Sequence, residues 1–211
     1  MRRKTLFLVT TVIVLCSFVF AGRGFCYRVP TEESNIKYFY VFGADGKKTY
    51  GALRNEPQTI FVRVPDSYKG NIEIAVYDPD TSNSIDEKSG NWNTETKFSI
   101  IGGNKAYTSR AELNEEYIIN DKAEPCAVDC YIGSLLAAKT FGTDKEYDKE
   151  YYHFKPIDAE KGESSGGYRY LKIVVEGISG DDNNLFAFDI SPDIAEAFTF
   201  APAIRLVETR G

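Results

Sequence analysis

Short segments rich in β-branched and aromatic residues recur along this chain, and clusters of Gly, Pro, Asn and Asp separate them. This pattern predicts strands joined by turns. In two segments the apolar residues alternate with others, as in Ile60, Val62 and Val64, and alternation buries one face of a strand. The predicted strands cover residues 36–43, 59–64, 71–77, 96–101, 131–141, 151–155, 168–176, 185–190 and 198–207.

Helices contribute little to the predicted fold. Residues 111–117 and 193–197 could each form a turn or two of helix, and residues 133–139 have a helical composition inside a predicted strand. Many short strands without alternating helices favour antiparallel sheets packed face to face. We therefore predict an all-β protein, an antiparallel β-sandwich of jelly-roll or immunoglobulin-like type. A single domain over residues 36–211 would follow a short leader over residues 22–35.

The first 21 residues have the layout of a secretory signal peptide. A basic start, Arg2-Arg3-Lys4, precedes an apolar run over residues 6–20 and the small residue Ala21. The run is shorter than a membrane-spanning helix needs, and no second run follows, so a signal peptide is favoured over an uncleaved anchor. The sequence predicts cleavage after Ala21 and export to the periplasm or the extracellular space, with no transmembrane segment afterwards.

Charge and cysteine content restrict the partners of the exported chain. Cleavage would remove three basic residues and no acid from a chain of net charge −6, which leaves −9. Without a basic patch, such a chain is a poor match for nucleic acid. Three cysteines would remain, and an oxidising compartment permits a disulfide. Pro125 and a short spacer favour pairing of Cys126 with Cys130, although Cys26 could pair with either cysteine or stay a thiol.

Two acidic loops stand out against the rest of the chain. The first loop, residues 78–87, carries Asp78, Asp80 and Asp86, and the second loop, residues 180–184, carries Asp181 and Asp182. Carboxylate oxygens in a flexible loop are the ligands that calcium requires, so these five aspartates are the candidate metal ligands. The alternative is a plain turn, because Asp and Asn are favoured in turns for their own backbone hydrogen bonds.

The run Ile72-Glu73-Ile74-Ala75-Val76-Tyr77-Asp78-Pro79-Asp80, followed by Asp86, resembles a known calcium loop. It is similar to the third calcium loop of the calcium- and phospholipid-binding β-sandwiches of the synaptotagmin and protein kinase C type. It is also similar to a turn in calcium-stabilised sandwich modules of secreted bacterial proteases and adhesins. The resemblance implies three carboxylates on one loop at an end of a sandwich, and it does not imply membrane docking.

Catalytic motifs are scarce in this sequence. His153 is the single histidine, it lies in an aromatic, strand-like run, and no Gly-x-Ser-x-Gly motif is present. The sequence favours a non-catalytic binding or structural module that meets a protein or glycan at the cell surface or in the periplasm, with calcium as its candidate stabilising ion. The alternatives are a carbohydrate-binding module, with Trp92 as the candidate sugar contact, and a secreted glycoside hydrolase that uses two carboxylates.

Overall fold

The strands of this protein form two sheets in which every pair of neighbours is antiparallel. The computed structural model describes residues 27–30, 36–45, 57–82, 85–86, 88, 90–109, 130–198 and 206–208. Within these ranges the one helix is a 3₁₀ turn at Ala159–Lys161. The protein is therefore an all-β sandwich, as the strand pattern predicts.

The first sheet has the order β13-β2-β11-β4-β7, with β1 beside β11 and β8 beside β4. Its strands are β1 (Tyr27–Val29), β2 (Ile36–Phe42), β4 (Asn71–Tyr77), β7 (Tyr151–His153), β8 (Ile157–Asp158), β11 (Asn183–Ser191) and β13 (Leu206–Glu208). The second sheet has the order β12-β3-β10-β5-β6, with β9 beside β10. Its strands are β3 (Gln58–Pro65), β5 (Glu95–Gly102), β6 (Ser134–Phe141), β9 (Glu163–Ser165), β10 (Tyr168–Ser179) and β12 (Glu196–Phe198).

Alternating apolar residues from both sheets build the core. The fully buried members include Ile60, Val62 and Val64 of β3, Ile72, Ile74 and Val76 of β4, and Leu171, Ile173 and Val175 of β10. Phe98 of β5 lies among aromatic rings, with centroid distances of 5.1 Å to Phe186 and 5.7 Å to Phe141. The face that the alternation assigns to the interior is thus the buried face.

Most predicted strands lie within one to three residues of the observed ones. A strand is predicted over residues 131–141, but the observed strand begins three residues later, at Ser134. Gly133, just before it, has a positive φ of 122°, so the extended strand conformation does not continue back through this residue. Residues 133–139 are not helical, and Glu196–Phe198 is a strand where a helical turn was an option. The predicted strand over residues 198–207 is two short strands at its ends, β12 and β13, and residues 199–205 lie outside the described part.

Several sequence predictions lie outside the described residues. They concern the signal peptide, Cys26, Cys126 and the helical turn over residues 111–117. Cys130 is buried, and its sulfur lies 3.4 Å from the Thr59 hydroxyl. The described ranges contain no disulfide, and the pairing of Cys126 with Cys130 stays a prediction. In the same ranges no helix has the length and apolar character needed to cross a membrane.

Candidate functional site

The two acidic loops lie at the same end of the sandwich. Strand β4 ends at Tyr77 and its antiparallel neighbour β11 begins at Asn183, so the turn after β4 meets the connection before β11. The Leu185 amide donates to Asp86 Oδ1 at 2.6 Å. The Asn184 side-chain amide donates to the Pro79 carbonyl at 2.7 Å. These contacts place the loops side by side, an arrangement that a shared ion site requires.

All three aspartates of the first loop are buried. Asp78 is 0% exposed, Asp80 is 1% exposed and Asp86 is 9% exposed. Asp78 has a left-handed backbone with φ of 55°, a conformation that Asp tolerates better than most residues. One oxygen of Asp86 accepts from the Ser82 amide at 2.8 Å, which closes the loop on itself. Burial at this level separates these aspartates from the solvent-facing acids of an ordinary turn.

A third loop, residues 142–150 between β6 and β7, packs against the same turn. The Lys149 amide donates to Asp78 Oδ1 at 2.7 Å, and the Tyr147 amide donates to Asp80 Oδ2 at 2.7 Å. Two backbone bonds also join them, from the Asp78 amide to the Glu150 carbonyl and from the Thr81 amide to the Gly142 carbonyl. The turn after β4 is therefore held mainly by the loop that crosses from one sheet to the other.

The same packing brings carboxyl groups into facing pairs. The Asp148 carboxyl lies close enough to Asp78 to raise the pKa of that group, and the Asp144 carboxyl does the same to Asp80. Sequence reasoning did not find Asp144 and Asp148. Acids alternate with lysines over residues 144–150, which is the usual appearance of a solvated loop. Only the packing of this loop on the turn after β4 reveals the pairs.

The electrostatics of this end disfavour ionised carboxylates. Burial, together with the negative charges of Asp78 and Asp148, raises the pKa of Asp86 to about 8. Burial and the neighbouring Asp148 together raise the pKa of Asp78 to about 7. Burial and the neighbouring Asp144 raise the pKa of Asp80 to about 6. A cation or a shared proton between the carboxyls would relieve this repulsion.

Polar oxygens without partners surround these pairs. Three buried side-chain oxygens of the first loop, Asp78 Oδ2, Thr81 Oγ1 and Ser82 Oγ, have no hydrogen-bond partner among the described residues. The same holds at this end for Asp148 Oδ1, Asp181 Oδ1 and Asn184 Oδ1. Native proteins leave few such atoms, and an unplaced ion or water is one explanation. The described part does not gather three or more His, Cys, Asp or Glu side chains into a metal-holding group. An ion here would depend on paired carboxylates with neutral oxygens, a donor set that suits calcium.

The second acidic loop faces a different segment. Asp182 is 0% exposed, and its carboxylate accepts from the Asn93 amide at 2.9 Å and from the Gly90 amide at 3.3 Å. The Asp181 amide donates to the Asn93 side chain at 3.0 Å. Gly180 opens this connection with φ of 83°, where a Cβ atom would come within 2.4 Å of Thr94 Cα. The structure thus places Asp181 and Asp182 beside residues 90–94.

The remaining candidate residues occupy separate places. Trp92 is half-buried in the segment that Asp182 holds, and the Lys88 ammonium lies 5.6 Å from the centre of its ring. His153 is exposed on β7, with its ring 6.1 Å from that of Tyr151. Comparison of the chain with protein-family models, with curated proteins and with solved structures gives no match. The function must therefore be argued from the geometry.

Proposed function

We propose that this protein is an exported, non-catalytic β-sandwich that serves as a binding or structural module at the cell surface or in the periplasm, and that calcium stabilises its acidic end. One observation carries the calcium proposal. Asp78 is 0% exposed, its Oδ2 has no hydrogen-bond partner among the described residues, and it lies within reach of a second carboxyl, Asp148.

A buried carboxylate needs a compensating charge or enough donors. Among the described residues Asp78 accepts one hydrogen bond, from the Lys149 amide to Oδ1, and the neighbouring acids Asp148 and Asp80 raise its pKa. Leaving an ionised oxygen unpaired in the interior costs several kcal/mol in principle. A calcium ion bound to Oδ2 would remove that cost. The acidic turn then acts as a folding element of the module.

Calcium should raise the melting temperature of the wild-type protein. At ten times its Kd an ion that binds only the folded state adds about 1.4 kcal/mol, which corresponds to about 3–6 °C for a chain of this size. The double variant Asp78→Asn/Asp80→Asn should show no shift, because it lacks both carboxylates. Differential scanning calorimetry in calcium and in chelator measures both effects. Asp193→Asn is the matched control, since Asp193 is exposed near the opposite end of β11.

The control should shift with calcium as the wild type does. Equal melting temperatures for the wild type in calcium and in chelator would contradict the calcium proposal. A shift that persists in the double variant would place the ion away from the turn after β4. Neither result would change the assignment of a β-sandwich fold, because none of the substituted residues belongs to the apolar core.

A glycan is the second candidate for what the module binds, and the Trp92 segment favours it. The ring is half-buried, a Lys88 ammonium lies close to it, and Asp182 holds its loop by backbone amides. A fixed aromatic ring beside polar groups can stack on a sugar. If this surface binds glycans, Trp92→Ala should reduce glycan-array signals at least about tenfold, since a lost stacking contact is worth about 1.4 kcal/mol or more. Unchanged signals would remove Trp92 from the binding site.

A further inference from the structure

We infer that calcium at this end bridges Asp78 and Asp148, and that it thereby fastens the 142–150 connection onto the turn after β4. This inference rests on the proposed function and adds a ligand, Asp148, together with a regulated segment. It predicts that calcium controls how accessible residues 142–150 are to other proteins. The claim concerns one oxygen from each loop, Asp78 Oδ2 and Asp148 Oδ1, both buried and both without a partner among the described residues.

The contacts already present explain why a bridge is needed. Backbone amides of the connection donate to one oxygen of each aspartate, the Lys149 amide to Asp78 Oδ1 and the Tyr147 amide to Asp80 Oδ2. These bonds draw the connection inward until acid faces acid, Asp148 against Asp78 and Asp144 against Asp80. Backbone hydrogen bonds therefore attract residues 142–150 to the turn after β4, while the carboxylates of the same two segments repel each other. A divalent cation between the carboxyls turns the repulsion into attraction.

The chemistry of the donors selects the ion. The two atoms of the bridge are carboxylate oxygens. The other buried side-chain atoms without a partner at this end belong to Thr81, Ser82, Asp181 and Asn184, and all of them are oxygens. Hard oxygen donors on two separate loops suit calcium, which tolerates irregular geometry, better than magnesium, which demands a near-ideal octahedron. Zinc and copper prefer nitrogen or sulfur ligands, and the unpartnered side-chain atoms at this end are all oxygens.

The bridge would fasten a segment that joins the edges of the two sheets. Strand β6 lies at an edge of the second sheet and β7 at an edge of the first, so residues 142–150 carry the chain from one sheet to the other. The connection has left-handed backbones at Lys145 and Lys149, and both side chains are exposed. Releasing it would open this edge of the sandwich and expose its backbone to partners or proteases.

Trypsin can report on this connection, because it cleaves after exposed lysines. In calcium at ten times its Kd we expect cleavage at Lys145 and Lys149 to slow about tenfold, as cleavage requires local opening. Lys69, exposed in the turn before β4 at the opposite end, is the internal control and should be cleaved at an unchanged rate. Mass spectrometry of timed digests identifies each site.

The variant Asp148→Asn isolates the new ligand. It should lose both the calcium-dependent protection and the calcium-dependent rise in melting temperature, while its melting temperature in chelator stays equal or rises because one of two facing charges is gone. Asp193→Asn should behave as the wild type.

The outcomes separate the inference from the proposed function. If calcium stabilises the wild type and Asp78→Asn/Asp80→Asn abolishes the effect, but Asp148→Asn retains it, the bridge is wrong and the calcium site stands. Equal protection of Lys69 and Lys145 by calcium in the wild type would also overturn the bridge, and that comparison needs no variant. If calcium changes neither the melting temperature nor the cleavage of the wild type, the calcium proposal itself fails, and shared protons instead of an ion join the carboxyl pairs.

Discussion

Replacing Phe98 with alanine should lower the free energy of unfolding by about 3–5 kcal/mol, the range typical of a buried Phe changed to Ala. Phe98 is 0% exposed and lies on β5, on the side that faces the other sheet. Its ring contacts Phe186 and Phe188 of β11 edge-on, at 5.1 Å and 6.0 Å between centroids. The substitution therefore removes contacts between the sheets and leaves a cavity that two facing strands cannot close.

Urea unfolding followed by circular dichroism measures this loss, and Leu135→Ala provides the control. Leu135 is 63% exposed on the edge strand β6, so its truncation should change stability by no more than about 0.5 kcal/mol. A Phe98→Ala variant that unfolds within about 1 kcal/mol of the wild type would show that the two sheets do not pack through this ring. The control separates that conclusion from a general insensitivity of the protein to truncation.

Local patterns explain how much of this fold the sequence predicts. Alternation over Ile60 to Val64 and over Ile72 to Val76 places strands β3 and β4 within a residue of their observed limits. The strands that sequence reasoning missed, β1, β8 and β9, have two or three residues each. Such segments are too short to show a period. Strands β1 and β8 form because distant strands, β11 and β4, offer free hydrogen-bonding groups, whereas β9 pairs with the adjacent β10 across the Gly166-Gly167 turn.

In the candidate site, too, the sequence predicts the residues that are close together along the chain and misses their partners from distant segments. Asp78, Asp80 and Asp86 lie close together in sequence, and their density predicts an acidic centre. Their partners come from the β6–β7 connection, where the Lys149 amide that binds Asp78 is 71 residues further along the chain. Nothing in the composition of residues 144–150 predicts that contact, because it arises when β7 pairs with β4.

The aspartate pair at positions 181 and 182 shows a second limit of sequence reasoning. An aspartate that binds an ion and an aspartate that accepts from backbone amides have the same sequence signature, a carboxylate in a turn. Asp182 accepts from two backbone amides across the acidic end, those of Gly90 and Asn93. An experiment can therefore test whether Asp182 binds the ion, anchors the Trp92 segment or does both.

Asp182→Ala should destabilise the protein by about 2–6 kcal/mol, because two backbone donors lose a charged acceptor and each such loss costs about 1–3 kcal/mol. If Asp182 only anchors residues 90–94, the loss should be the same in calcium and in chelator. Trp92 is the single tryptophan of the chain, so its fluorescence reports directly on the released segment. We expect its emission in the folded variant to shift towards that of a solvated indole.

Urea titrations of the wild type and of Asp182→Ala, each in calcium and in chelator, give the four free energies that this comparison requires. Asp182→Asn is the matched variant, since it keeps the side-chain size and one acceptor oxygen and should lose about half as much stability. A loss that is larger in calcium by about 1 kcal/mol or more would assign Asp182 to the ion. The two acidic loops would then form one site. An equal loss would confine the ion to the turn after β4 and the connection that faces it.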